Sequence, residues 1–187
     1  MTSLSANITE QQLVSLMNAG DKRAAKALYD RYAGSLMAVC LRYTADADEA
    51  KDVLQETFIK VFTQFRQFHY RGEGSLRAWL TRIAANVSIT WLKNNGRLQL
   101  VHDDLTSVLS APDDEPDADG IPPDRLHEMI RRLPDGYRTV LNLYAFEDRS
   151  HKEIAQLLGI KPTTSASQLF HAKAMLAKMI NEYKQSH

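Results

Sequence analysis

A single cysteine, Cys40, leaves the chain no internal disulfide, and its place among Leu36, Val39 and Tyr43 on an apolar stripe suits a buried small hydrophobe in a reducing compartment. No apolar run approaches the ~20 residues that span a bilayer. The opening MTSLSANITEQQ has neither the basic nor the apolar segment of a secretory signal. The expectation is a cytoplasmic protein with no direct membrane insertion. Six histidines, His69, His102, His127, His151, His171 and His187, are scattered with no pair at i, i+4, and no glycine-rich phosphate loop is present. Zinc and nucleotide chemistry lose their usual carriers, and no catalytic residues, metal or cofactor are expected. Net charge is lacking too: 23 Lys and Arg balance 23 Asp and Glu. A net charge of zero, taken alone, argues against a nucleic-acid partner.

The distribution of charge reverses that argument. Residues 61 to 101 hold six cations against one carboxylate, residues 102 to 128 one against nine, and residues 129 to 187 nine against five. Two basic blocks flank one acidic block, a layout for two phosphate-attracting sites and one repelling segment. With 44% apolar residues, 187 residues suffice for one ordinary domain or two small ones.

Taken in order, Thr9 and Gln12 have capping-box spacing before a short helix docked by Leu13, Leu16 and Met17. Asp21 is a plausible cap for the next helix, whose stripe runs through Ala24, Ala25, Leu28, Tyr32, Leu36, Val39, Cys40 and Tyr43. From Asp46 to Lys93 two long helical patterns are joined by a glycine-containing loop. The first buries Ala50, Val53, Leu54, Thr57, Phe58, Val61, Phe62 and Phe65 at i, i+3, i+4, i+7 spacing. Its other face carries Asp52, Gln55, Glu56, Ile59 and Thr63, a set that a solvated face would also explain. The second buries Leu76, Leu80, Ile83, Val87 and Trp91. A separate line, Trp79, Arg82, Asn86, Thr90 and Lys93, combines an indole, a guanidinium, an amide and an ammonium, the parts of a single-strand platform. Trp79 by itself would serve equally as a core residue.

These residues carry a resemblance. Asp52-Val-Leu-Gln-Glu-Thr-Phe58, then Phe68, Arg71-Gly-Glu73 and Leu76-Arg-Ala-Trp-Leu-Thr-Arg-Ile-Ala-Ala-Asn86 resemble the second region of extracytoplasmic-function (ECF) sigma factors of bacterial RNA polymerase. The resemblance implies docking of Asp52, Gln55, Glu56 and Ile59 on the polymerase clamp. It assigns Phe68, Arg71, Trp79, Arg82, Asn86 and Lys93 to the unwound minus-10 strand. Thr90 departs from the family's frequent aspartate.

Asn94-Asn-Gly96 stops the helical period, and residues 97 to 122, rich in proline and acid, read as a flexible linker. In the family such a linker threads the polymerase cleft. Beyond it, Leu126, Met129, Ile130 and Leu133 trace one helix, and Tyr137, Val140, Leu141, Tyr144 and Phe146 the next. Ser150 and Glu153 have capping-box spacing, Gly159 supplies a turn, and Pro162 opens a long helix. This order is a helix-turn-helix pattern, which antiparallel helix pairs of other function also share. With Arg131-Arg-Leu-Pro-Asp-Gly-Tyr-Arg-Thr-Val-Leu141 and Glu153-Ile-Ala-Gln-Leu-Leu-Gly-Ile160 it resembles the fourth sigma region. That implies minus-35 duplex contacts from Thr163, Thr164, Ser167, Gln168, His171 and Lys173, the inner face being Ser165, Leu169, Ala172, Leu176 and Met179. Gly, Lys, Arg and Arg are common in the family where Thr163, Ala166, Gln168 and His171 stand here. This chain should therefore attract phosphate weakly through that helix.

The expectation is an all-α protein of two small helical domains, 8 to 96 and 123 to 187, on the 97 to 122 tether. It is not an enzyme but a sigma factor that recognises and melts promoters, with core polymerase, promoter DNA and an anti-sigma factor as partners. A stand-alone helix-turn-helix regulator and a sigma-mimicking adaptor that occupies an anti-sigma factor are the alternatives.

Overall fold

The computed structural model describes residues 8 to 98 and 116 to 186. Among them every regular element is helical: α1 (Glu10–Asn18), α2 (Lys22–Thr44), α3 (Ala47–Gln64), a 3-10 turn (Phe65–Gln67), α4 (Ser75–Asn94), α5 (Pro123–Arg131), α6 (Asp135–Ala145), α7 (His151–Leu158) and α8 (Pro162–Ser186). The chain forms two compact units, Met1–Trp91 and Leu92–His187. Most of the expected acidic linker lies outside the described residues.

In the first unit the helix starts follow local chemistry. Gln12 N donates to Thr9 Oγ1 at 3.1 Å and Thr9 N to Gln12 Oε1 at 2.9 Å, a complete capping box on α1. Asp21 accepts from Arg23 N at the start of α2, and Asp46 accepts from Asp48 N and Glu49 N at the start of α3. The α2 helix ends at Ala45 in the left-handed region (φ 65°), a conformation that disfavours any side chain with a Cβ.

The core of this unit joins Leu28, Leu36 and Tyr43 of α2 to Val53, Phe58 and Val61 of α3 and Leu76, Leu80 and Val87 of α4, all buried. Cys40 is fully buried, and burial pushes its thiol up to about 11 against the opposing effect of hydrogen bonds with Ser88 and Thr57. Because Ala84, Ala85, Ser88 and Ile89 are buried as well as the expected stripe, α4 is wrapped on more than one side. Two expectations fail here. Phe62 is 41% exposed, since Phe58 and Val61 already fill the seam. The α1 helix docks through Glu10, Leu13 and Val14, leaving Leu16 and Met17 half-buried.

In the second unit α6 is buried almost all round, with Arg138, Thr139, Val140, Leu141, Asn142 and Leu143 withdrawn from water. A helix packed on several sides has no single stripe. Tyr144 and Phe146, read as core from their spacing, fall at the C-terminal end of α6, past the buried run, and stand 42% and 44% exposed. Arg138 is 2% exposed; its Nη1 donates to the carbonyls of Arg131 (3.1 Å) and Leu133 (2.7 Å), and its Nη2 pairs with Asp135. The guanidinium thus satisfies carbonyls that the end of α5 leaves open. Ser150 and Glu153 form the capping box of α7, and Gly159 (φ 74°) closes it in the left-handed conformation. The α8 helix packs on α5, α6 and α7.

Candidate functional site

The polar face of α3 is built as its spacing implies. Asp52 and Gln55 are exposed, and Glu56 is half-buried with its carboxylate 3.6 Å from Lys60 Nζ. Ile59 is 63% exposed among them. Beside this face lie Phe62 and, on α2, Tyr29 at 47% exposure; Tyr29 and Phe62 both pack on Phe58, with ring centroids 4.6 Å and 5.8 Å away. The surface therefore holds an apolar ridge flanked by carboxylates, a combination suited to a protein partner. Phe62 was missed because it falls on the apolar stripe of α3, and spacing does not tell the edge of a stripe from its centre; Tyr29 lies beside the α2 stripe and carries no local signal of its own.

The second cluster sits where the 3-10 turn leads through a glycine loop into α4. Gly72 (φ 120°) and Gly74 (φ 86°) allow the chain to reverse there. Ser75 Oγ donates to Gly72 O at 2.6 Å and accepts from Arg71 N at 3.2 Å, which fixes the loop to the first turn of the helix. An open pocket of about 330 Å³ results, lined by Gln67, Phe68, His69, Arg71, Ser75, Ala78, Trp79 and Arg82. Trp79 forms its half-buried aromatic wall. Its ring meets Phe65 edge-on at 5.8 Å and lies tilted on Phe68 at 5.1 Å.

Arg71 and Arg82 are exposed at this pocket, and Asn86 is exposed one turn further along α4. Phe68 needs correction. At 8% exposure it packs between Phe65 and Trp79 and supports the indole, so little of its ring is left for a base. Lys93, two residues past the end of the first unit, is not among the residues that line this pocket. An aromatic wall, two guanidiniums and an amide around a volume open to solvent can take one unpaired base and neutralise the phosphates beside it.

On α8 the expected DNA face is misplaced by part of a turn. Thr164, Ser167 and Gln168 are 7%, 1% and 1% exposed, and the His171 ring stacks on Tyr137 at 5.5 Å. Packing against three helices withdraws a wider arc than the Ser165, Leu169, Ala172 and Leu176 stripe alone. In this first half of the helix Thr163 stays exposed, and Ala166, Phe170, His171 and Lys173 are half-buried. The turn itself is held by His151, whose Nδ1 lies 2.9 Å from Ser165 Oγ and whose ring stacks on Tyr144 at 5.0 Å. Burial holds the His151 imidazole below its ordinary range.

Comparison with known proteins matches residues 28 to 98 to Sigma-70 region 2 and residues 124 to 176 to Sigma-70, region 4. The chain is 32% identical over 183 residues to the RNA polymerase sigma-H factor of Pseudomonas aeruginosa, covering 91% of this chain and 93% of that one. It is 29% identical to the ECF RNA polymerase sigma-E factor of Haemophilus influenzae, covering 95% and 98%. In fold it is similar to the sigma factor RpoE of Bartonella quintana, solved with the anti-sigma factor NepR. The TM-score there is 0.51 at 19% identity, with 92% of this chain and 96% of that one covered. It is also similar to CnrH solved with the cytosolic domain of CnrY, with TM-score 0.50 at 21% identity over 92% and 97%.

Proposed function

Because the chain belongs to the ECF family of RNA polymerase sigma factors, we propose that it binds core polymerase through α3 and opens promoters by holding one minus-10 base in the pocket beside α4. The observation that carries this reading is the pocket itself. Trp79, Arg71 and Arg82 converge on one open volume, with Asn86 next along the same helix. Residues 8 to 96 supply polymerase docking and strand capture, 97 to 122 the tether, and 123 to 187 the minus-35 contact through the outward side of α8. Thr163 and Lys173 belong to that contact; Gln168, Thr164 and Ser167 support the helix from within.

The factor acts by binding energy in the cytoplasm and catalyses no reaction. Its partners are core polymerase, promoter DNA as duplex and as melted strand, and an anti-sigma factor. Among the described residues no helix is long and apolar enough to cross a membrane.

Transcription reconstituted with core polymerase and a promoter library tests the proposal, and specific transcripts are expected. Reversing Asp52 and Glu56 to lysine should abolish core binding while leaving helical content intact, since charge disruption at such an interface costs about 2 to 5 kcal/mol. Unchanged core affinity in that double variant would show that the α3 face is only solvated. Tight binding to duplex operators without polymerase would favour a plain helix-turn-helix regulator.

A further inference from the structure

Glu10 stands in the first turn of α1 and is 2% exposed, an unusual place for a carboxylate. Its Oε1 accepts the backbone N–H of Leu76 at 2.9 Å, 66 residues further along the chain, and its Oε2 accepts the Tyr32 hydroxyl at 3.2 Å. Leu76 lies in the first turn of α4, where N–H groups lack intrahelical partners and the helix dipole favours negative charge. Two nearby donors are used within the loop and helix: Ser75 N bonds Gly72 O and Ala78 N bonds Gly74 O.

The tie is not isolated. Arg31 donates to Ile8 O at 3.1 Å, just before α1, and reaches Glu73 of the loop at 3.8 Å. Burial, and then the adjacent Glu10 charge, push the Tyr32 hydroxyl up to about 12, so it remains a donor at neutral pH. A leucine at position 10 would dock α1 without the desolvation that a buried charge incurs. A carboxylate there instead fixes one place and angle for the start of α4.

We propose that Glu10 is a positioning residue for strand capture: through Leu76 N–H it sets the start of α4, and with it Ser75, Ala78 and Trp79 on the pocket wall. This rests on the reading of that pocket as the minus-10 strand site. The N-terminal helix thereby has a part in promoter opening without touching DNA.

The test uses the full chain with core polymerase, following opening at a duplex promoter by permanganate reactivity and core affinity separately. Glu10→Ala is compared with Leu13→Ala, which loosens α1 while keeping the Glu10 bond to the Leu76 N–H, at temperatures giving the same margin below each melting point. Glu10→Ala should lower opening about tenfold, the usual effect of losing a charge-assisted hydrogen bond, with core affinity within about twofold. Glu10→Gln keeps the carbonyl acceptor and should restore at least about half of wild-type opening. Hydrogen exchange at the Leu76 amide should quicken about tenfold in Glu10→Ala and remain slow in Glu10→Gln.

Equal opening defects in Glu10→Ala and Leu13→Ala would overturn the proposal, as would unchanged opening in Glu10→Ala. If Glu10→Ala does not fold, Tyr32→Phe takes its place: opening should fall about threefold, and no change would overturn the role. Trp79→Ala separates the two levels of argument. If it opens promoters normally, the strand-pocket reading fails and the positioning role with it. If it is defective while Glu10→Ala is not, only the positioning role fails.

Discussion

At the scale of single residues, the pocket beside α4 makes the sharpest demand. Trp79 is half-buried against Phe65 and Phe68, so its ring is held in place before any base arrives. Such preorganisation limits the ordering cost of binding. Base stacking on an aromatic ring is worth about 1 to 3 kcal/mol. Trp79→Ala and Asn86→Ala should therefore cut open complexes by about fivefold or more while leaving core affinity near wild type. Permanganate footprints matching wild type would remove both residues from strand capture.

His151 makes a different demand. Desolvation lowers its folded-state pKa below the ordinary value of 6.5, so folding favours the neutral ring. Its contribution is complete above the unfolded value and is lost as pH falls through the lower, folded one. The melting temperature should decline as pH drops below 6.5. His151→Gln should flatten that part of the profile, and a wild-type profile in the variant would dismiss the His151 contribution.

At the scale of elements, the turn between α2 and α3 stores a small strain. Ala45 closes α2 at φ 65°, while Thr44 Oγ1 donates toward Cys40 O and Asp46 O and Asp46 caps α3. A left-handed residue with a Cβ costs about 1 to 2 kcal/mol. Ala45→Gly relieves that cost and gives back part of it as unfolded-state entropy, for a net gain of up to about 1 kcal/mol. Thermal or urea unfolding should show higher stability; a loss would mean that the turn is not strained. The α8 helix shows a further consequence of packing. Polar residues such as Ser165, Ser167 and Gln168 are buried there although nothing in their type requires it. The outward line Thr163, Ala166, Phe170 and Lys173 carries one cation.

At the scale of the whole molecule, charge is arranged rather than accumulated. The chain is neutral in sum, yet residues 61 to 101 and 129 to 187 are basic and the segment between them acidic. Affinity for duplex DNA grows with the number of phosphates neutralised. With one cation on the outward line of α8, the full chain without polymerase should bind duplex promoter DNA weakly in physiological salt. Ala166→Lys should tighten binding to many sequences alike and steepen the salt dependence by about one phosphate. Nanomolar binding by the wild-type chain alone would contradict this dependence on polymerase.

Sequence by itself determined the local features, because each is written within a few residues. The caps at Thr9, Asp21 and Ser150, the stop at Gly96, the turn at Gly159 and the main stripes of α2, α3 and α4 follow from spacing and residue type. The line of Trp79, Arg82 and Asn86 was equally legible, since helical periodicity fixes which residues share a face. Only the tertiary structure decided how much of each helix is covered. One stripe predicts burial when a helix has one neighbour; α8 has several, so Ser167 and Gln168 disappear, while Tyr144 and Phe146 emerge because the buried run of α6 ends at Leu143. The same holds for Phe68, which becomes support for Trp79, and for Glu10. No local pattern links Glu10 to Leu76, 66 residues away, because that hydrogen bond exists only once α1 and the start of α4 are folded together.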